Sequence, residues 1–185
     1  MNTEEKSTGS ASPTVPPFSE ILDTHAKVEA QVGEIYINFA AAFGQNAELR
    51  TLWSAMALEE GGHAALLRAV NKGVLSGMFQ AKSFLLPLDV INSLVERVSD
   101  YYRQTTENPS LDQALRITWE LECSELDFMR ELLVSSSNLA ELGFPTNIES
   151  KDKHLGRLRE VIQQFATDES LRREVKFLSA ERFPR

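Results

Sequence analysis

An all-α fold is predicted for this chain, a four-helix bundle with a long crossover connection that contains a shorter helix. Three observations predict it. Four stretches repeat large apolar side chains at steps of three and four residues, the spacing that lines one helix face. Glycine, asparagine and proline punctuate these stretches where helices should start and stop. Between the second and third stretches lies a connection from Gly73 to Pro109, long enough to carry the chain back along a bundle.

The elements follow in order. Residues 1–17 are rich in Ser, Thr, Pro and Glu and contain no apolar run of signal-peptide length, which predicts a disordered tail before a single domain over 18–185. The first helix is expected over 18–44, with the seam Leu22, His25, Glu29, Val32, Tyr36, Phe39 and Phe43 and a stop at Gly44-Gln45-Asn46. The second, over 46–73, carries Leu49, Trp53, Met56, Glu60, His63, Leu67 and Val70. It begins so soon after the first that the two should form an antiparallel hairpin. Pro87 precedes a crossover helix over about 88–104. Asn108-Pro109-Ser110 then opens the third long helix, over 109–137, with Ser110 as its cap and Leu115, Trp119, Glu122, Leu126, Met129 and Leu133 as its seam. Gly143-Phe144-Pro145 ends that segment. The fourth helix, over 147–167, has the seam Ile148, Lys151, Leu155, Leu158, Ile162 and Phe165, with His154 beside it, and Asp168-Glu169-Ser170 introduces a short last helix reaching Phe177 and Leu178.

Composition narrows the function. With 185 residues, 42% of them apolar, the chain can bury the core of one domain. A formal charge of -8 argues against nucleic acid or an anionic membrane surface as the main partner, no stretch is apolar enough to span a bilayer, and a cytoplasmic location is expected. The single cysteine, Cys123, excludes an intramolecular disulfide or a four-thiolate metal site within these residues and is expected as a small buried helix residue.

The informative feature is that every seam carries ionisable residues where only apolar ones belong. An isolated buried carboxylate costs several kcal/mol or more, so Glu29, Glu60 and Glu122 facing one core need protons, partners or a metal. Glu34, Glu48, Glu59 and Glu120 fall outside the seams and are expected to face solvent. Trp53 and Trp119 are expected in the core, and His25 as a core-edge imidazole bonded to a neighbour. The ionisable pattern occurs twice. Glu29 precedes Glu60-Gly-Gly-His63 by 31 positions, and Glu122 precedes Lys151-Asp-Lys-His154 by 29. A residue pair at i and i+3 projects to one side of a helix, where a lone Glu from a neighbouring helix can join it, and oxygen with imidazole suits iron or manganese.

On the segments Glu29-Ala-Gln-Val-Gly-Glu-Ile-Tyr36, Leu58-Glu-Glu60-Gly-Gly-His63-Ala64, Ala114 to Met129 around Glu122, and Lys151-Asp-Lys-His154-Leu155, the chain resembles the ferritin-like superfamily, most closely its rubrerythrin-type members. The resemblance runs from about Phe18 to Phe165. It implies a ferritin-like bundle with a dinuclear iron or manganese site in which Glu29, Glu60 and His63 hold one metal and Glu122 and His154 the other, with Tyr36 close by as the catalytic proton donor. It further implies peroxide or dioxygen as oxidant, or a ferroxidase reaction. The four-cysteine electron-delivering domain of rubrerythrins has no counterpart in these residues, so an external electron donor is expected, and a homodimer is expected as the assembly.

The chain departs from the family pattern at Lys151, where a second bridging glutamate is expected. A lysine ammonium cannot ligate, and three carboxylates plus one ammonium balance a single divalent ion rather than two. Three outcomes stay open: one metal at Glu29, Glu60 and His63; two metals with Glu125, Glu149 or Asp152 supplying the missing carboxylate; or no metal and a polar network in a bundle that serves as a binding or structural module.

Overall fold

The computed structural model describes residues 17–78, 88–135 and 148–182, with the side chains of 88–90, 125–135, 148–154 and 178–182 left aside. Among the described residues the chain is all-helical: α1 (Phe18–Ala42), α2 (Ala47–Leu75), α3 (Leu88–Thr105), α4 (Leu111–Ser135), α5 (Ile148–Phe165) and α6 (Glu169–Arg182). Each expected helix is present, and the differences lie at the ends. The expected stop of α2 at Gly73 is displaced because Gly73 is buried in helical backbone. The left-handed residue that ends the helix is Gly77, at φ 72°, with Met78 N–H bonded to the Gly73 carbonyl at 2.9 Å.

Local chemistry sets the starts. Asn46 Oδ1 accepts from the backbone N–H of Glu48 and Leu49, capping α2. Ser110 Oγ accepts from Gln113 N–H at the start of α4, as expected. Asn108, at φ 55°, takes the left-handed turn that brings Pro109 into position. Asp168 Oδ1 caps α6 through Ser170 N–H and Leu171 N–H.

Contacts between helices fix their directions. Phe39 and Phe43 meet Trp53 at ring centroid distances of 5.3 and 5.4 Å, while Arg68 reaches the Ala26 carbonyl, so α1 and α2 are antiparallel. Ile91 packs with Ile21 and Leu22, and Thr105 accepts from Asn38, so α3 runs back alongside α1. Tyr101 to Glu120 and Gln113 to Gln104 make α4 antiparallel to α3. Arg159 lies over the Trp119 ring and Thr167 meets Asp112, which sends α5 the other way again. The seams point inward. Leu22, Val32, Phe39, Trp53, Leu67, Leu115, Trp119, Leu158 and Ile162 are all essentially inaccessible, and Trp53 satisfies its indole N–H by donating to Thr118 Oγ1 at 3.0 Å.

Three side-chain expectations change. Cys123 is half-buried against the core rather than inside it. Glu59 and Glu120 are also half-buried; at Glu120 the Tyr101 hydroxyl of α3 donates to the carboxylate, and burial first and then this carboxylate push the Tyr101 phenol up to about 12. Glu34 and Glu48 are exposed as expected. Lys151, His154, Glu125, Glu149 and Asp152 carry side chains outside the described set, as do Leu126, Met129 and Leu133. Residues 1–16 and most of the crossover ahead of α3 also lie outside it. No described helix is long and apolar enough to cross a membrane.

The α4–α6 junction is polar. Asp112 accepts from Thr167 N–H at 2.7 Å, from Asp168 N–H at 3.2 Å and from the Thr167 hydroxyl. Slight burial pushes the Asp112 carboxyl up, but these donors outweigh it and leave the group below the usual carboxylate range. Asp168 is held far lower still, chiefly by the Ser170 hydroxyl and then by the Arg116 guanidinium. Both carboxyls ionise more readily in the folded chain than in the unfolded one. Their contribution is therefore complete above about pH 4 and is lost as pH falls through the folded-state values. Asp112→Asn should unfold at lower denaturant than wild type at pH 7, and the difference should shrink at pH 3. Urea titrations at the two pH values measure both midpoints.

Candidate metal centre

Close approach of α1 and α2 assembles the site. Gly33 faces α2, where a Cβ would lie 3.5 Å from the Ala57 carbonyl and 3.5 Å from Glu60 Cβ, an ordinary packing distance, so the two helices meet at the level of Glu60. One turn before Gly33 on α1 stands Glu29, and three residues after Glu60 on α2 stands His63. One donor atom from each of Glu29, Glu60 and His63 lies within 4.8 Å of the other two.

Glu29 is fully buried and neither of its oxygens accepts a hydrogen bond. Its Oε1 faces His25 Nε2 at 3.5 Å and its Oε2 faces His63 Nδ1 at 3.8 Å, so the second is an electrostatic contact rather than a made hydrogen bond. His63 Nδ1 is bonded instead to Glu60 Oε2 at 2.8 Å. Burial alone would raise the Glu29 carboxyl. It is outweighed by the His63 and Glu60 side chains beside it, then by the charges of His25 and His63, and the group is lowered to about 2. Glu29 is therefore an anion at any physiological pH.

This polar layer divides the core. On one side lie Val28, Val32, Ile35, Met56 and the aromatic cluster around Trp53; on the other lie Ile21, Leu22, Ala26, Leu67, Val70 and Ile91. Two apolar layers thus exclude water above and below the carboxylates, while His63, with 26% of its side chain accessible, is the donor that reaches the surface. Gly61 and Gly62, between the two α2 donors, are exposed with nothing above them.

Of the residues singled out in the sequence, Glu29, Glu60 and His63 converge. Glu122 is buried but stands outside that group. It accepts a hydrogen bond from the Tyr36 hydroxyl at 2.9 Å, which ties α4 to α1. Tyr36 is itself fully buried and donates its hydroxyl to that carboxylate. His25 is not at the core edge: it is 1% exposed and turned toward Glu29. Sequence spacing had already put His25 in register with Glu29, one turn away.

The three donors suit a divalent cation. Two ligands at 2.0–2.2 Å from one ion lie about 2.8–4.4 Å apart, depending on the angle between them. The His63–Glu60 and His63–Glu29 separations fall inside that window. Two carboxylates balance the charge of one such ion, and a buried carboxylate without a hydrogen bond is a ligand that needs no other bond broken. Comparison of the chain with protein-family models, curated proteins and solved structures finds no match.

Two expected outcomes follow. Tyr36→Phe removes the donor to buried Glu122 and should cost about 1–3 kcal/mol in denaturant unfolding. Gly61→Ala and Gly62→Ala meet nothing in space and remove helix-interior glycines, so each should stabilise the chain by about 1 kcal/mol, read as a higher unfolding midpoint.

Proposed function

We propose that this chain is a ferritin-like metalloprotein of the rubrerythrin type that holds divalent iron or manganese at Glu29, Glu60 and His63 and acts as an oxidoreductase on peroxide or dioxygen. The observation that carries the reading is the convergence of these three donors around a fully buried Glu29 carboxylate that accepts no hydrogen bond. The order of helices supports it as well: an antiparallel hairpin, a helix running back alongside the first, then two further antiparallel helices, the path a ferritin-like bundle with a crossover would take.

The residues divide the work. Glu29 arrives already ionised, and Glu60 and His63 share one proton along the 2.8 Å contact. Loss of that proton would leave Nδ1 and the carboxylate oxygen facing the same point, so a cation would take the place the proton occupies. When bound, divalent iron or manganese would supply one electron per ion toward cleaving an O–O bond, the rest coming from a second ion or the external donor. The apolar layers on either side keep bulk water from the buried carboxylates, and access is from the His63 side. Tyr36 holds Glu122 in place through its hydroxyl, and the family resemblance would make it the proton donor. Electrons for repeated turnover would come from an external donor, since the 185 residues contain one cysteine.

A second reading, a ferritin-like bundle with a non-catalytic binding or structural role, draws on Lys151 at the position where a bridging glutamate is expected and on the engagement of Glu122 with Tyr36. Metal binding separates the two. After anaerobic loading with ferrous iron and removal of excess, wild type should retain at least one iron per chain and His63→Ala should lose it. Admission of oxygen to the loaded wild type should then produce a near-ultraviolet ferric band. A wild-type chain that retains no iron would favour the non-catalytic bundle.

A further inference from the structure

The two oxygens of Glu29 face two different imidazoles. Oε2 looks toward His63 and Glu60, the donors of the candidate centre, at 3.8 Å from His63 Nδ1. Oε1 looks the other way along α1 to His25 Nε2 at 3.5 Å. His25 stands one helical turn before Glu29, is 1% exposed, and lies outside the trio whose donor atoms share a 4.8 Å neighbourhood. The resemblance to rubrerythrin-type proteins assigns nothing to this position.

We propose that His25 is a positioning residue: it donates from Nε2–H to Glu29 Oε1, so that Glu29 meets a bound divalent cation through Oε2 alone. The inference rests on the metal-binding reading of Glu29, Glu60 and His63. The chemistry favours it on two counts. A carboxylate that is free on both sides can rotate and bind an ion through both oxygens. One whose outer oxygen is held by a donor is fixed in orientation and presents a single oxygen, as partners behind metal ligands commonly ensure. Moreover, Oε1 lies in a layer between two apolar clusters, where an anionic oxygen without a donor is costly, and His25 Nε2 stands 3.5 Å from it. Closing 3.5 Å to an ordinary hydrogen bond of about 2.9 Å needs only a small turn of the Glu29 carboxylate.

The test uses the whole chain and Co²⁺ as probe, with metal affinity, the visible Co²⁺ spectrum and the infrared carboxylate stretches as readouts. His25→Leu keeps the bulk and removes the donor; His25→Gln returns an N–H donor near the position of Nε2. Wild type should bind Co²⁺ with a wide gap between antisymmetric and symmetric carboxylate stretches, the signature of single-oxygen ligation, assigned by its loss in Glu29→Gln. His25→Leu should bind roughly 10–100-fold more weakly, with a narrowed gap as both oxygens engage, and His25→Gln should restore most of the affinity and the wide gap. Unchanged affinity and bands in His25→Leu would overturn the proposal while leaving the metal centre standing. A loss in His25→Leu that His25→Gln does not restore would make His25 a packing residue and overturn it too. Wild type that binds no Co²⁺ and no iron would remove the metal centre, and this inference with it.

Discussion

Everything in this molecule depends on two ionisable helix seams being pressed together by the close contact of α1 with α2. At Gly33 the two helices meet at the level of Ala57 and Glu60, and the same approach leaves Glu29 fully buried. A buried carboxylate is tolerable only with compensation, so the surrounding groups answer to it: His63 from α2, His25 from α1 itself, and Glu60 sharing the His63 proton. A side chain much larger than Ala at position 33 would separate the helices and undo that compensation.

The rest of the bundle seals and orients this layer. Apolar side chains lie on both sides of it, so the charged groups interact in a dry setting where each contact is stronger and each unmade one costs more. α4 is held to the hairpin by two buried polar links, Tyr36 to Glu122 and Trp53 to Thr118. Farther out, the Asp112, Arg116 and Asp168 cluster fastens α6 to the start of α4. Exposed Gly61 and Gly62 are the exception to this economy: they weaken α2 between its two donors without serving any contact seen among the described residues.

The helices were legible because their signals are local. The three- and four-residue spacing of Leu22 to Phe43 and of Leu49 to Val70 needs no knowledge of partners, and Ser110 and Asn46 mark starts that any chain would recognise. The end of α2 was harder to read. Gly73 and Gly77 are equally plausible stops in one dimension, and burial of Gly73 decides between them. Glu29, Glu60 and His63 were legible as a set because each breaks an apolar seam. Glu120 was misjudged because its partner Tyr101 comes from α3, whose placement depends on a connection with no periodic signal of its own, and His25 because burial from other helices is not written in its own stretch.

By itself, then, the sequence determined an all-helical chain, its seams, and the residue types available to hold a cation, since periodicity and side-chain chemistry are properties of neighbours along the chain. Tertiary structure alone decided which of those residues meet. It joined Glu29 to Glu60 and His63, set Glu122 against Tyr36 instead, and turned His25 inward onto the far oxygen of Glu29. Those outcomes are matters of a few ångströms between different helices or of burial under a third one, and they follow from how closely the helices pack, which no single stretch of sequence specifies.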